Sequence, residues 1–347
     1  GRAVLCGMDL VTGATGIVGM PVVVKLLSQG QTVRALHRPT SVRARVEAAV
    51  RTVNPESLSR LEWVEGDLTD QASLEDALEG VTRVFHCAAL VSFHADDRDA
   101  LRRINAEGTA NLVNAMLHCQ TSRLIHVSSV AALGRKAGQP TDESTLFEEQ
   151  PGTSAYARSK HRAEMEAFRG AVEGLSGGVV VVNPTVILGP GDYRRSSSAL
   201  FRVLDRGLSW YPTGSGGYVA ADDVAEVCVR LADSDVRDAR FVLCAEHRTH
   251  QEVMGLIADA LGRPRPSRAV RGWMAGLAWR LVRVYELLTG RRSMISRESL
   301  ASGKEHQRYD GTLVLRTLAE MGQTWAYTPI PEVIASTAQA YRLDRDA

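Results

Sequence analysis

The chain has 347 residues, 44% of them hydrophobic and 23% charged, with a formal net charge of +1 at pH 7. That length suits one large domain with a smaller companion, and the balanced charge gives no general pull toward nucleic acid or acidic lipid. Five cysteines, at 6, 87, 119, 228 and 244, form no CxxC pair and no Cys/His cluster, which argues against a disulfide framework or a metal site and suits reduced thiols in the cytoplasm.

Residues 1–7 have neither the charged region nor the apolar core of a signal peptide, and no apolar run approaches the ~20 residues of a membrane span. Met8 to Val11 reads as a buried strand, followed by a glycine-rich turn and a helix through about Ser28, closed by Gly30. Strands are expected at Thr32–His37, Leu61–Glu65, Arg83–Cys87 and Arg123–Val127, each followed by helix-like sequence. The β-branched run Val179–Val182 suits a parallel strand buried on both faces. Strands alternating with helices imply an α/β fold, a doubly wound parallel sheet of the Rossmann type. After Gly189 the periodicity fades until a helix at Asp222–Ala232 and a strand at Phe241–Cys244. The expected division is a nucleotide-binding domain over 8–188, rejoined by 219–246, and a smaller, mainly helical substrate lobe from 189–218 and 247–347.

The turn Thr12-Gly13-Ala14-Thr15-Gly16-Ile17-Val18-Gly19 sits between the first strand and the first helix. Gly13 permits the tight turn, Gly16 lets backbone approach a pyrophosphate, and Gly19 lets helix and sheet pack closely. The helix N-terminus, with Thr15, Ile17 and Val18 around it, offers free N–H groups to phosphate. At the tip of the second strand, Val33-Arg34-Ala35-Leu36-His37-Arg38 carries no acid to meet the ribose hydroxyls of NAD. Arg38, helped by Arg43 or Arg45, is placed to pair with a 2′-phosphate, so NADP(H) is the expected cofactor. Asp67, with Leu68 beside it, stands where an adenine amino group would lie, although an N-cap is an equally good role for Asp67 or Asp70.

Tyr156-Ala157-Arg158-Ser159-Lys160 puts a phenol and an amine on one helix face. A free tyrosine titrates near ~10, too high for proton transfer at neutral pH, and a neighbouring ammonium is expected to lower it. Val127-Ser128-Ser129-Val130 would place a serine hydroxyl at the carboxyl edge of the sheet, where such folds bind ligands.

With these residues in order, the sequence resembles the extended short-chain dehydrogenase/reductase family. The resemblance rests on the TGATGIVG turn, the stretch 85–89, Asn105 in an N-x-x-G-T setting, Ser128-Ser129, YARSK, and the proline-containing loop from Asn183 to Gly191. It implies Tyr156 as general acid in carbonyl reduction, Lys160 as the group that lowers its pKa and holds the ribose, and Ser129 as the residue that binds the carbonyl oxygen. It further implies that Ala88 and Ala89 line the cofactor's path, that Asn105 supports the site near Lys160, and that Pro184, Thr185 and Val186 lie beside the nicotinamide. The branch most similar is that of dihydroflavonol reductase and 3β-hydroxysteroid dehydrogenase, which implies a ketone or aldehyde reductase, or an alcohol dehydrogenase, for a fairly large apolar substrate. Where relatives carry a V-D-x-x-D-V-A pattern, this chain has Val219-Ala220-Ala221-Asp222-Asp223-Val224-Ala225, so the first carboxylate is missing.

Two other readings share these residues. A sugar-nucleotide epimerase or dehydratase holding NAD uses the same triad, and Arg194, Arg195 and Arg202 could meet a diphosphate. A non-catalytic NADP-binding sensor would keep only the turn. Residues 263–297 hold nine arginines against Glu286 alone, and Trp273–Leu288 reads as an amphipathic helix. Its bland role is to cover the substrate pocket; its sharper one is contact with a membrane surface or an acidic carrier protein. The family also implies homodimerisation through two helices.

Overall fold

A computed structural model describes residues 7–135, 138–194, 197–270 and 303–346. The amphipathic helix expected at 273–288 and Arg195 lie outside these residues.

The chain begins βαβαβαβ: β1 (Met8–Thr12), α1 (Gly19–Ser28), β2 (Thr32–His37), α2 (Ala44–Val53), β3 (Leu61–Glu65), α3 (Gln71–Leu78) and β4 (Val81–His86). A short α4 (Arg98–Leu101) runs through a π-helical turn, Arg102–Glu107, into α5 (Gly108–His118). Then follow β5 (Arg123–Val127), α6 (Ala155–Glu173), β6 (Gly178–Pro184), β7 (Val186–Leu188), α7 (Ala199–Asp205), β8 (Trp210–Tyr211), β9 (Ser215–Ala220), α8 (Ala221–Ala232) and β10 (Ala239–Leu243). The chain continues through β11 (Glu246–Thr249), α9 (His250–Ala260) and β12 (Arg268–Ala269), and ends in the helices Thr312–Glu320 and Ile330–Asp346.

Seven strands form one sheet in the order β10-β6-β5-β4-β1-β2-β3, and all its pairings are parallel. The fold is the doubly wound α/β arrangement read from the sequence. Its order reverses between β1 and β4, and the carboxyl ends of those two strands carry Gly13 and Ala88, which sets the ligand crevice there. Alternate residues of each strand feed two cores. Val11, Phe85, Ile125, Val180 and Val182 pack under α1 and α8, whereas Leu10, Val84, Leu124, Val179 and Val181 pack under α3, α5 and α6. A third core joins Leu188, Phe201, Tyr218, Ile257 and Ile334.

The 189–218 region, without periodicity in the sequence, holds one short helix and parts of two small sheets, β11-β9-β7 and β12-β8. In addition, Val314 and Leu318 lie in the α1/α8 core, so the helix Thr312–Glu320 belongs with the large sheet rather than with the rest of 247–347. The missing carboxylate at position 220 leaves Asp223 to make the link across: it accepts from the Thr328 N–H and hydroxyl, both at 2.9 Å.

Candidate active site

The glycine turn is built for close backbone approach. Gly13 has φ +66, and a Cβ there would sit 2.6 Å from the Ala88 nitrogen; one on Gly19 would sit 2.1 Å from the Gly13 carbonyl oxygen. The Gly16 N–H donates to that same carbonyl at 2.8 Å. Helix α1 starts with Val18 at its cap position, no side-chain cap and no acid in its first turn. Its leading N–H groups and dipole are left for an anion. Thr15 and Ile17 are half-buried at the mouth of the turn, and Gly16 is exposed. A dinucleotide's pyrophosphate fits this cradle.

Arg38 is exposed at the tip of β2, and its charge helps hold the Asp67 carboxyl below its ordinary value, although hydrogen bonds from Thr69 do most of that. Asp67 accepts from the Thr69 N–H and hydroxyl, both at 2.8 Å, while the N-cap of α3 is Asp70, which accepts from Ala72 and Ser73. Of the two aspartates, Asp70 takes the N-cap role, and Asp67 is held by Thr69 instead. Leu68 is buried against Gly108. The helper arginines are otherwise occupied: Arg43 stands over the Trp63 ring, and Arg45 donates to the Gly191 carbonyl and to Asp344.

Between turn and catalytic helix runs a chain of hydrogen bonds that the sequence reading missed. The Ala88 N–H donates to the Thr12 hydroxyl at 3.2 Å, Thr12 meets His86 Nδ1 at 2.7 Å, His86 Nε2 meets the Thr109 hydroxyl at 3.0 Å, and Thr109 donates to the Asn105 carbonyl at 2.6 Å. Because Thr109 spends its proton on Asn105, His86 must donate through Nε2 and accept at Nδ1. Burial depresses His86 to about 3, so the ring is neutral. The π-helical turn directs Asn105 inward. Its Oδ1 accepts from the Leu90 N–H at 2.7 Å, and its Nδ2 donates to the Leu90 carbonyl and to Ser159 Oγ, both at 2.9 Å. Asn105 therefore fixes the segment after Ala88 and Ala89 to the helix bearing Tyr156.

That helix, α6, is capped by Ser154, whose hydroxyl accepts from Ala157. Tyr156 is half-buried, and the Ser129 side chain stands close enough to its phenol to oppose the upward pull of burial on its pKa. Ser129 also caps the short turn after β5 by accepting from Ala131, so the two uses coexist. Ser128 points elsewhere: it is buried, and its hydroxyl donates to Glu164 at 2.8 Å. Lys160 is buried, donates to the Val127 carbonyl at 2.9 Å, and is depressed by burial to about 8. One expectation fails here. Burial pushes the Tyr156 phenol above its ordinary value, opposed by the Ser129 side chain, and the Lys160 ammonium is committed to a carbonyl instead of lowering it.

Two further groups went unnoticed in the sequence. Phe93 meets the Tyr156 ring edge-on at 5.6 Å and keeps 36% of its surface exposed. His126, beside His86 on the neighbouring strand, is fully buried with both ring nitrogens unpartnered. Pro184 and Thr185 are buried at the end of β6, where Thr185 holds the Leu243 carbonyl through N–H and hydroxyl at 3.0 Å, and Val186 is 39% exposed. Among the described residues no metal-binding cluster occurs and no helix is long and apolar enough to cross a membrane. Of the nine arginines in 263–297, the three described are engaged: Arg263 with Asp205, Arg265 with Asp259, and Arg268 over the Trp210 ring.

Comparison with known proteins agrees with this geometry. Residues 10–244 match the NAD dependent epimerase/dehydratase family. The chain is 33% identical to "Sterol demethylase protein B" of Methylococcus capsulatus, over 75% of this chain and 76% of the relative. It is 31% identical to a "Putative dihydroflavonol 4-reductase" of Synechocystis, over 89% and 88%. The solved structure of gox2253 superposes with a TM-score of 0.76 at 28% identity, covering 97% of this chain and 98% of the other. With a dinucleotide cradle, a Ser–Tyr–Lys cluster and a family match across most of its length, the chain belongs to the NAD-dependent epimerase/dehydratase family of extended short-chain dehydrogenases/reductases.

Proposed function

We propose that the chain is an NADP(H)-dependent reductase, running also as the reverse alcohol dehydrogenase, for a fairly large apolar ketone or aldehyde. The observation that carries this reading is the Ser129 side chain set close enough to the Tyr156 phenol to act on its proton, at the carboxyl edge of the sheet, with Lys160 buried one turn further along the same helix. The phenol is protonated at neutral pH, as an unshifted tyrosine also is, the state needed to give a proton to a carbonyl oxygen. In this reading Tyr156 donates that proton, Ser129 holds the oxygen, and Lys160 binds the ribose. The nicotinamide, when bound, supplies the hydride. Gly13, Thr15, Gly16, Ile17, Val18 and Gly19 hold the pyrophosphate, Asp67 and Leu68 flank the adenine, and Ala88, Ala89, Asn105, Pro184, Thr185 and Val186 border the nicotinamide end. Arg38 pairs with the 2′-phosphate.

The exposed face of Phe93 beside Tyr156 supports an apolar substrate, since a ring so placed favours an aryl or alicyclic group over a hydrated sugar. The competing reading, an NAD-holding epimerase or dehydratase, draws on the family's own description. Nicotinamide absorbance followed with NADPH and NADH against steroid, aryl and β-keto-acyl ketones separates them. Turnover with NADPH and little with NADH is expected. NAD retained through purification, with no ketone reduced, would favour the epimerase or dehydratase; NADPH bound without any turnover would favour a sensor.

A further inference from the structure

We propose that Glu164 is a positioning residue of this site: its buried carboxylate ties the Ser128–Ser129 strand end to the helix carrying Tyr156 and Lys160, and keeps the Lys160 ammonium charged. Glu164 lies on α6 one turn beyond Lys160 and two beyond Tyr156, and is 1% exposed. A carboxylate at that depth is costly unless its oxygens are well partnered. One oxygen accepts from Ser128 Oγ and from Asn183 Nδ2, both at 2.8 Å, and the other pairs with Arg240 at 2.9 Å. Asn183 also donates to the Ser129 carbonyl at 3.1 Å. Two of the three ties therefore end on the dipeptide that presents the Ser129 hydroxyl to Tyr156. Releasing them leaves the Lys160–Val127 hydrogen bond to tie β5's end to α6, and it holds the strand one residue short of the serines.

The charge matters as well as the ties. The groups facing Lys160 are His86 at the end of β4 and Cys87 just after it, His126 from β5 and Glu164 from its own helix. Both histidines are held neutral by burial, and burial pushes the Cys87 thiol up to about 12, so none of the three balances an ammonium at neutral pH. Glu164 is the chief opposing influence to the burial that depresses Lys160. Around Glu164 itself stand Arg240 from β10 and His161 and Lys160 from α6, with Arg240 held over the Phe168 ring. An uncompensated buried lysine falls to ~5–6 and is neutral at pH 7. Lys160 stays near 8 beside this carboxylate.

The role presupposes the Tyr156–Lys160 reading, but its test needs no substrate. The sequence holds only four lysines, at 25, 136, 160 and 304, so Nζ and Cε resonances of the full chain labelled at lysine can be titrated individually, with Lys160→Met for assignment. In the wild type Lys160 is expected to titrate near 8. In Glu164→Gln it should fall by about one unit or more. The pair Glu164→Gln/Arg240→Gln, which leaves no guanidinium without its carboxylate and so spares folding that penalty, should fall likewise. A wild-type Lys160 already neutral at pH 7 overturns the proposal, as does a lower melting temperature with the Lys160 titration unmoved. Loss of reductase activity in the separate ketone assay bears on the function alone.

Discussion

At the tip of β2, the proposed preference for NADPH rests on one exposed guanidinium, that of Arg38. No acid competes for the site, and of the three arginines the sequence offered there, only Arg38 is free of a partner that would fix it away from a ligand: Arg45 is spent on Gly191 and Asp344, and Arg43 on Trp63. Charge-assisted hydrogen bonds contribute about 1.5–3 kcal/mol each. Arg38→Gln should therefore weaken NADPH binding roughly 10- to 100-fold and leave NADH nearly unchanged, as read by quenching of protein fluorescence. Equal loss for both cofactors, or none for either, would remove Arg38 from the 2′-phosphate. Here the sequence was informative because it showed which residue type stands at a strand end. It said nothing of how Arg43 and Arg45 are used, since those partners lie on distant segments.

At the scale of elements, strands β1 to β6 were legible because short apolar stretches alternate with helical sequence, β6 most clearly as a run buried at every position. The strands β8 and β12, two residues each, carry no periodicity to read. The Glu164 network and the Thr12–His86–Thr109–Asn105 chain were equally invisible, because all their links but Thr109–Asn105 join residues separated by 19 to 76 positions. The paired ends of β4 and β5 bury two histidines that the sequence presented only as polar interruptions. Their folded-state pKa values lie below the ordinary value of 6.5, His86 at about 3 and His126 lower than ordinary by burial. The unfolded chain thus binds protons that the folded chain refuses. Stability is complete above about pH 6.5 and is lost as pH falls through the window below it, by up to about 1.4 kcal/mol per pH unit for each ring. His126, with neither nitrogen partnered, is the ring whose loss costs least. His126→Leu should hold or raise the melting temperature at pH 7 and make the acid slope between pH 6 and pH 4 shallower by up to about 1.4 kcal/mol per pH unit, in denaturant titrations across that range. A steep loss of stability at pH 7 would show a partner for the ring.

In the molecule as a whole, two cores fix the sheet and a third builds the region beyond β7, so the site sits where rigid strand ends meet loops. The turn, Asn105, Ser129, Tyr156 and Lys160 converge on the carboxyl edge because alternate strands and crossovers deliver each of them there. The fold and this convergence could be read from motif order, whereas the upward shift of Tyr156 could not, since it depends on how deeply the phenol is set. The central claim is Tyr156 as the acid for carbonyl reduction, set beside Ser129 with Lys160 buried a turn further along the same helix. The most direct test follows NADPH oxidation with a ketone that the wild type reduces, in the wild type and in Tyr156→Phe, alongside NADPH binding to both. The account predicts NADPH affinity within about twofold and turnover reduced by roughly 10²- to 10⁴-fold in the variant. Turnover retained by Tyr156→Phe would contradict it.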